Sequence, residues 1–356
     1  MRGYGNEKRM RKIKIGKKSI GEEEPCFIIA EAGVNHNGSV ELAKKLIDVA
    51  KEAGADAVKF QTFRAEEIVT LKSKKAIYQH RAKEKTQYEM LKNLELSFDE
   101  FRELKKYCDN KSIEFISTPY DIKSVEFLNE IGVNRFKVAS ADLINKPLIE
   151  AIAKTKKQII LSTGMATLGE IERTIAVIND FGNTDIIILH CTTSYPTPYE
   201  QVNMNVLGTL KKAFGLPVGY SDHTLGIEIP IMAVSMGAKV IEKHFTLDRT
   251  MEGPDHFASL EPDELKKMVE AIRNVEEAFG SERKEITDEE KKNIFFMRRS
   301  IHASEDIKEG EIIKENNIKI TRPFDGIEPW VLDVLLGKKI KVKVKKDEPI
   351  KWEDLL

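Results

Sequence analysis

Eight short apolar runs alternate with stretches of helical periodicity between residues 26 and 279. The runs span residues 26–30, 56–60, 113–116, 135–139, 158–161, 185–189, 217–219 and 239–242. Continuous apolar runs of this length indicate strands that are buried on both faces, and their alternation with helices predicts a parallel sheet. Eight such units predict an α/β fold in which the sheet closes into a (β/α)8 TIM barrel.

Each predicted strand is followed within a few residues by a polar or charged side chain. These residues are Glu31, Gln61, Thr118, Ser140, Ser162, His190, Ser221, His223 and His244. Lys59 and Lys137 lie inside their runs. Because the chemistry of such barrels is located at the C-terminal ends of the strands, this pattern predicts an enzyme.

Composition and charge exclude several other classes of protein. The 356 residues include 57 Lys and Arg and 58 Asp and Glu, so the formal net charge is −1. No charge excess favours nucleic acid or a membrane surface as a partner. Three scattered Cys residues are too few for a disulfide framework or a structural zinc site, and no apolar run is long enough to span a bilayer. We therefore expect a cytoplasmic protein that acts on small molecules.

The chain divides into four predicted segments. Residues 1–24 form an N-terminal extension, residues 25–280 the barrel, residues 281–297 a charged linker, and residues 298–356 a small β-rich domain. Inside the barrel, residues 62–96 form an insertion that lacks strand character. Long insertions at a barrel mouth are usually binding loops or lids.

A pair of histidines suggests a metal site. His223 and His244 follow the last two predicted strands, and adjacent strands lie only about 4.8 Å apart, so both imidazoles can reach one ion. The alternative is two buried histidines that only form hydrogen bonds. With oxygen ligands from substrate and water, Mn²⁺ or Mg²⁺ fits such a site better than structural Zn²⁺.

Two lysines suggest an anion site. Lys59 and Lys137, with hydroxyl groups of Ser140, Ser162 and Ser221 at neighbouring strand ends, could hold a phosphate or a phosphorylated carboxylate. One alternative is a lysine that forms an ion pair inside the barrel with Glu31 or Asp142. We give it less weight, because a buried Lys is costly unless a ligand or partner uses it. A second alternative is a Schiff base between one of the lysines and a carbonyl substrate.

Acids and polar groups could complete the site. Glu31, Asp142 and Asp255 lie at strand ends or in turns, where Asp most often serves as a cap or turn residue. Together with Gln61, Thr118 and Tyr195, they could bind a polyol through hydrogen bonds.

Eight ordered motifs and the tail resemble the N-acetylneuraminate (sialic acid) synthase family. The motifs include Ala30-Glu31-Ala32-Gly33, Val58-Lys59-Phe60-Gln61, Ser117-Thr118-Pro119, Lys137-Val138-Ala139-Ser140, Ser162-Thr163-Gly164-Met165, Ser194-Tyr195-Pro196-Thr197-Pro198, Ser221-Asp222-His223-Thr224 and Glu242-Lys243-His244-Phe245. Thr321-Arg322-Pro323 in the tail is similar to the C-terminal antifreeze-like (SAF) domain of the same enzymes. The resemblance implies that phosphoenolpyruvate condenses with an open-chain N-acetylated amino sugar and water, releasing phosphate by C–O cleavage.

The resemblance also implies a role for each site residue. Phosphoenolpyruvate would be held by Lys59, Lys137, Ser140, Ser162, Thr193 and Ser221. The sugar would be bound by Gln61, Thr118, Tyr195, Asp255 and Arg322. A divalent cation on His223 and His244, with Mn²⁺ favoured and Mg²⁺ or Co²⁺ as alternatives, would polarise the sugar aldehyde. Glu31, His223 and Asp142 are the expected catalytic residues, although many relatives carry Glu at the position of Asp142 and Asn at that of Thr193.

Substrate and assembly are the last two expectations. We expect the sugar to be N-acetylmannosamine, with 2,4-diacetamido-2,4,6-trideoxymannose, the precursor of N,N'-diacetyllegionaminic acid, as the alternative. The Schiff-base pyruvate lyase remains the alternative from another enzyme class. The resemblance further implies a homodimer with a swapped C-terminal domain, in which Arg322 reaches the partner's barrel.

Overall fold

The computed structural model describes residues 13–15, 18–21, 24–76, 79 and 82–356. Of the predicted N-terminal extension, residues 1–12, 16–17 and 22–23 lie outside this description. Its described part forms an antiparallel hairpin of β1 (Ile13–Ile15) and β2 (Lys18–Ile20).

Eight parallel strands close into a barrel, which confirms the predicted fold. They are β3 (Phe27–Gly33), β4 (Ala57–Thr62), β5 (Glu114–Pro119), β6 (Arg135–Val138), β7 (Gln158–Ser162), β8 (Ile186–Cys191), β9 (Val218–Asp222) and β10 (Val240–His244). Each strand pairs with its sequence neighbours, and β10 closes the barrel against β3, with Glu242 opposite Ile29 and His244 opposite Glu31. Polar residues at the C-terminal ends of all eight strands are thereby brought to one mouth.

Ten helices belong to the described part of the barrel unit. They are α1 (Val40–Glu52), α2 (Ala65–Ile68), α3 (Gln87–Leu94), α4 (Phe98–Lys111), α5 (Ile122–Glu130), α6 (Lys146–Lys154), α7 (Leu168–Asp180), α8 (Val206–Phe214), α9 (Glu228–Ser235) and α10 (Pro262–Phe279). Helix α1 shows why they form: the Ser39 hydroxyl accepts the Leu42 N–H, and the buried Ala43, Leu46 and Ala50 recur on one face. The insertion contributes α2 and α3.

Two hydrophobic layers hold the barrel together. The larger layer lies between the strands and the surrounding helices. The smaller layer gathers Ile20 from the hairpin with buried strand residues such as Phe27, Ile29, Ile160 and Val240. This apolar layer lies between the charged groups at the mouth and the buried Arg135, which pairs with Glu114 at the N-terminal ends of β6 and β5.

The chain divides into two compact units, of which the first ends at Gly280. The second comprises Ser281–Leu356 and contains α11 (Asp288–Met297), β11 (Ser300–Ala303), β12 (Ile318–Thr321) and α12 (Leu332–Leu335). Its buried core includes Ile301, Ile307 and Ile350, so the small β-rich domain is confirmed. Within the part of the chain that the structure describes, no helix is long and apolar enough to cross a membrane.

Candidate active site

A cavity of about 260 Å³ lies at the C-terminal ends of the barrel strands. Twelve residues singled out from the sequence line it: Glu31, Lys59, Gln61, Thr118, Lys137, Ser140, Ser162, Thr193, Tyr195, Ser221, His223 and His244. The insertion contributes Phe63, Gln79, Gln87 and Leu91 to the lining of the same cavity. The structure thus brings together side chains from all eight strand ends and from the insertion.

Three other predicted residues do not line the cavity. Asp255 lies next to it, with its Oδ2 3.8 Å from His244 Nδ1, and burial and the charge of Glu31 raise the pKa of Asp255 to about 7. Asp142 is in a short 3₁₀ turn, where its Oδ1 accepts a hydrogen bond from Asn145. Arg322 belongs to the second unit, is exposed, and donates its Nε–H to the Met297 carbonyl at 2.9 Å.

Two lysines and two glutamates form an ionic network in the cavity wall. Lys59 Nζ lies 2.7 Å from Glu31 Oε2 and 3.7 Å from Glu242 Oε2. Lys137 Nζ lies 3.0 Å from Glu242 Oε1, which also accepts the Ser221 hydroxyl at 2.8 Å. All four charged side chains are at most 5% exposed. Glu242 therefore connects both lysines.

The two carboxyl groups differ in acidity because their partners differ. Burial raises the pKa of Glu31, and Lys59 offsets this only in part. Burial acts on Glu242 in the same direction, but Lys137 and Lys59 together outweigh it and lower its pKa. Glu242 is therefore the anionic member of the pair, whereas Glu31 is the carboxyl group that more readily holds a proton.

The lysines respond to the same network in opposite directions. Burial lowers the pKa of Lys137 despite its contact with Glu242. Burial also acts to lower the pKa of Lys59, but Glu242 and Glu31 together outweigh it and raise the pKa. Lys59 is thereby held as a cation between two carboxyl groups.

The ion pair to which the sequence analysis gave less weight is present. Lys59 contacts Glu31, and Lys137 is paired with Glu242 rather than with Asp142. A buried ammonium group needs a counter-charge, and in a closed barrel the neighbouring strands supply it. Ion pairing and anion binding are compatible, because both lysines still line the cavity.

His223 and His244 are neutral imidazoles whose nitrogen lone pairs could coordinate a metal ion. Their ring centroids lie 5.4 Å apart. His223 Nδ1 lies 2.8 Å from the Thr192 carbonyl, which can only accept, so the proton is on Nδ1 and the Nε2 lone pair is free to coordinate. Burial lowers the pKa of His223 to about 4 and that of His244 well below its usual range. His244 Nδ1 is a buried nitrogen without a hydrogen-bond partner.

These features fit a divalent cation held by two imidazoles. Within the described ranges, no group of three or more His, Cys, Asp or Glu side chains is arranged to hold a metal. Two protein nitrogens would leave the remaining coordination positions to substrate and water, which suits a catalytic ion rather than a closed structural site.

Polar groups crowd the wall formed by β6, β7 and β8. Ser140 Oγ lies 3.0 Å from Cys191 Sγ and accepts the Gly164 N–H at 3.0 Å. Ser162 Oγ is buried without a hydrogen-bond partner. A Cβ on Gly164 would lie 2.8 Å from Ser140 Oγ and would also collide with Thr193 Oγ1. Glycine at position 164 therefore leaves room for hydroxyl donors that could bind an anion.

The remaining predicted sugar residues surround the carboxyl and imidazole groups. Gln61 Nε2 donates to Glu31 Oε1 at 3.3 Å, and Thr118 Oγ1 accepts from Lys59 Nζ at 3.2 Å. The Tyr195 ring lies 4.2 Å from the His223 ring, centroid to centroid. Their roles in sugar binding stay predictions.

Sequence reasoning missed the role of Glu242. Its signal was present, because a glutamate inside an apolar strand is rarely buried unless it is paired. Its partners on β4, β6 and β9 could not be assigned from sequence, because they depend on the closure of the barrel. Gln79 and Gln87 were missed because nothing in the pattern of the insertion indicates which of its side chains turn inward.

Residues 46–284, which make up more than half of the chain, match the NeuB family. The chain belongs to the NeuB family. Residues 298–356 match the SAF domain. Both matches confirm the resemblance seen in the motifs and in the tail.

Individual relatives agree along nearly the whole chain. An uncharacterized protein of Methanocaldococcus jannaschii is 51% identical over 347 residues, which cover 98% of this chain and 99% of that protein. The N,N'-diacetyllegionaminic acid synthase of Campylobacter jejuni is 49% identical over 329 residues, 91% of this chain and 98% of that enzyme. The crystal structure of N-acetylneuraminic acid synthetase from Leptospira borgpetersenii superposes with a TM-score of 0.72 at 38% identity, covering 81% of this chain and 97% of that one. This NeuB-family chain is thus an enzyme, a nonulosonic acid synthase.

Proposed function

We propose that this enzyme condenses phosphoenolpyruvate with an open-chain N-acetylated sugar of the mannose type and with water, giving a nonulosonic acid and phosphate. The observation that carries the proposal is the convergence of two buried lysines, an acidic pair and two neutral imidazoles in one cavity. Each group matches one requirement of this reaction: anion binding, proton transfer and polarisation of a carbonyl group.

The donor would bind between β4 and β9. Lys59 and Lys137 supply two ammonium groups, and Ser140, Ser162 and Thr193 supply hydroxyl groups along one wall. Ser221 lies at the contact between Lys137 and Glu242. A phosphate and a carboxylate on one small molecule require such a set of cationic and neutral donors.

The chemistry forms one carbon–carbon bond and one carbon–oxygen bond and breaks one carbon–oxygen bond. C3 of phosphoenolpyruvate attacks the aldehyde carbon, and the aldehyde oxygen takes up a proton. Water adds its oxygen to C2 and gives up its protons as C2 becomes the ketone of the product, and phosphate leaves with the bridging oxygen. Glu31 would transfer the proton, since its surroundings favour the protonated form more than those of Glu242 do. When bound, a divalent cation on His223 and His244 would supply Lewis-acid polarisation of the sugar carbonyl.

Asp142 would support the reaction indirectly. Its hydrogen bond with Asn145 and its position outside the cavity lining favour a role in holding the Ser140 turn rather than in touching substrate.

Two sugars are candidates for the acceptor. N-acetylmannosamine is the sugar expected from the sequence motifs. 2,4-Diacetamido-2,4,6-trideoxymannose is supported by the name of the Campylobacter jejuni relative, N,N'-diacetyllegionaminic acid synthase. Phosphate release from phosphoenolpyruvate, measured with each of the two sugars in turn, separates them: the true acceptor gives the higher kcat/KM. Glu31→Gln is the matched inactive control.

Phosphate release and borohydride treatment together test the Schiff-base alternative. The lowered pKa of Lys137 is the observation that keeps a lysine nucleophile in consideration. A covalent adduct on Lys137 after borohydride treatment with pyruvate, together with no sugar-dependent phosphate release, would replace the proposed condensation by the lyase reaction.

A further inference from the structure

A second buried ion pair lies directly behind the two histidines. Lys243 Nζ lies 2.5 Å from Asp222 Oδ2, and both side chains are fully buried. Lys243 and Asp222 are also register partners in the pairing of β10 with β9. The pair therefore connects the two strands at their last paired position before the mouth.

Strand alternation places this pair outside the cavity. Ser221 and Glu242 line the cavity and form a hydrogen bond with each other. Because successive side chains of a strand point to opposite faces, Asp222 and Lys243 point away from the cavity. The next residues, His223 and His244, line it again.

The pair also fixes the backbone on both sides of His223. The Asp222 carboxylate accepts the Thr224 N–H and the Thr224 hydroxyl, each at 3.0 Å. Lys243 Nζ donates to the Thr224 carbonyl at 2.5 Å. The ammonium group of Lys243, the residue before His244, thus contacts both neighbours of His223, namely Asp222 and Thr224.

Stability alone does not account for this arrangement. A buried ion pair can be replaced by apolar residues of similar volume at little cost or even with a gain in stability, because desolvation offsets the attraction between the charges. What an apolar pair would not supply is a directional contact that fixes one strand end relative to the next.

We propose that Asp222 and Lys243 are positioning residues that set the spacing and orientation of His223 and His244 for a divalent cation. The inference rests on the metal site of the proposed function. It assigns to the outer face of the barrel the role that hydrogen-bonded carboxylates play behind metal ligands in other proteins.

The test measures Mn²⁺ binding directly, by calorimetry or electron paramagnetic resonance of the full chain freed of metal. The double variant Asp222→Asn/Lys243→Met removes both charges without leaving one unpaired. Thr224→Val is a milder second variant that removes only the hydroxyl donor. The matched control is Glu114→Gln/Arg135→Met, which removes the ion pair between the buried Arg135 and the partly exposed Glu114 on β6 and β5, at the opposite end of the barrel, where Arg135 Nη2 lies 2.7 Å from Glu114 Oε1.

We expect the Kd for Mn²⁺ to rise about 10–100-fold in the Asp222/Lys243 variant and by less in Thr224→Val. The control should keep the wild-type Kd even where its Tm falls. Wild-type Kd values in both site variants would overturn the inference, and so would an equal loss of affinity in the control, because the effect would then be a general loosening of the barrel. A wild-type enzyme that binds no Mn²⁺, Mg²⁺ or Co²⁺ would instead overturn the metal site itself, and the inference with it.

Discussion

Replacing Glu242 by Gln tests the ionic network most directly. The change keeps the shape of the side chain but removes the carboxylate 3.0 Å from Lys137 Nζ, while Lys59 retains Glu31. Leaving one partner of a buried pair without its counter-charge costs about 3–5 kcal/mol. We expect a loss at the lower end of that range, because the Glu31 carboxyl group still acts to raise the pKa of Lys137 and so balances part of its charge.

The pH dependence has a definite sign. A lysine whose pKa is lower in the folded than in the unfolded state binds fewer protons when folded, so its contribution to stability grows as pH rises between the two pKa values. Loss of Glu242 lowers the pKa of Lys137 in the folded state further. The pH range between the folded and unfolded pKa values of this lysine therefore extends to lower pH. The difference in free energy of unfolding between wild type and Glu242→Gln should therefore shrink as the pH is raised from 7 to 9.

An anion supplies the sharper assay. With one carboxylate removed, the network carries an excess positive charge, so inorganic phosphate should stabilise Glu242→Gln more than wild type. Phosphate at about 100 times its Kd would return about 2.7 kcal/mol, which is most of the expected loss. The measurement is the Tm at increasing phosphate and constant ionic strength. Glu114→Gln also breaks an ion pair with a buried arginine, Arg135, and should lose stability without this added response. Equal phosphate stabilisation in wild type and Glu242→Gln would refute the reasoning.

Three further predictions concern the metal, the anion wall and the assembly. Excess EDTA should abolish sugar-dependent phosphate release and Mn²⁺, Mg²⁺ or Co²⁺ should restore it; full turnover with no metal detected by elemental analysis would contradict this. Gly164→Ala should raise the KM for phosphoenolpyruvate about tenfold with little change in the sugar KM, because the new Cβ would meet Ser140 and Thr193 and overpacking costs about 1–3 kcal/mol; an unchanged KM would show that the wall yields. Mixing Arg322→Ala chains with Glu31→Gln chains should restore activity if the predicted homodimer shares its sites; no recovery, with subunit exchange verified, would count against the swapped arrangement.

The barrel could be predicted because its signal is repeated eight times, but strand ends could not. The run at residues 217–219 stops before the first large polar residues, whereas β9 continues through Tyr220, Ser221 and Asp222. The run at 239–242 likewise omits Lys243 and His244, which complete β10. A hydrophobic run ends at the first polar side chains, but at a barrel mouth the backbone remains in the sheet while inward side chains become polar.

Some residues of the candidate site could be placed from the sequence, and others could not. Residues at strand ends converge because parallel strands share one mouth, so Lys59, Ser162 and His244 could be placed together from sequence. Asp142 could not be placed, because a single 3₁₀ turn after β6 decides which way its carboxylate points. Its hydrogen bond with Asn145 depends on that local turn, which the pattern of apolar and polar residues does not predict.

The contrast between the two glutamates follows from how many lysines each one touches. Glu242 contacts Lys59 and Lys137 and accepts a hydrogen bond from the Ser221 hydroxyl. Each of these three contacts stabilises its charged form. Glu31 contacts Lys59 and the amide of Gln61, which does not outweigh the cost of its burial. Carboxyl groups whose surroundings push their pKa values apart take different roles in proton transfer. The opposite directions of the two pKa shifts support the proposed proton transfer by Glu31 and leave Glu242 as the counter-charge of the lysines.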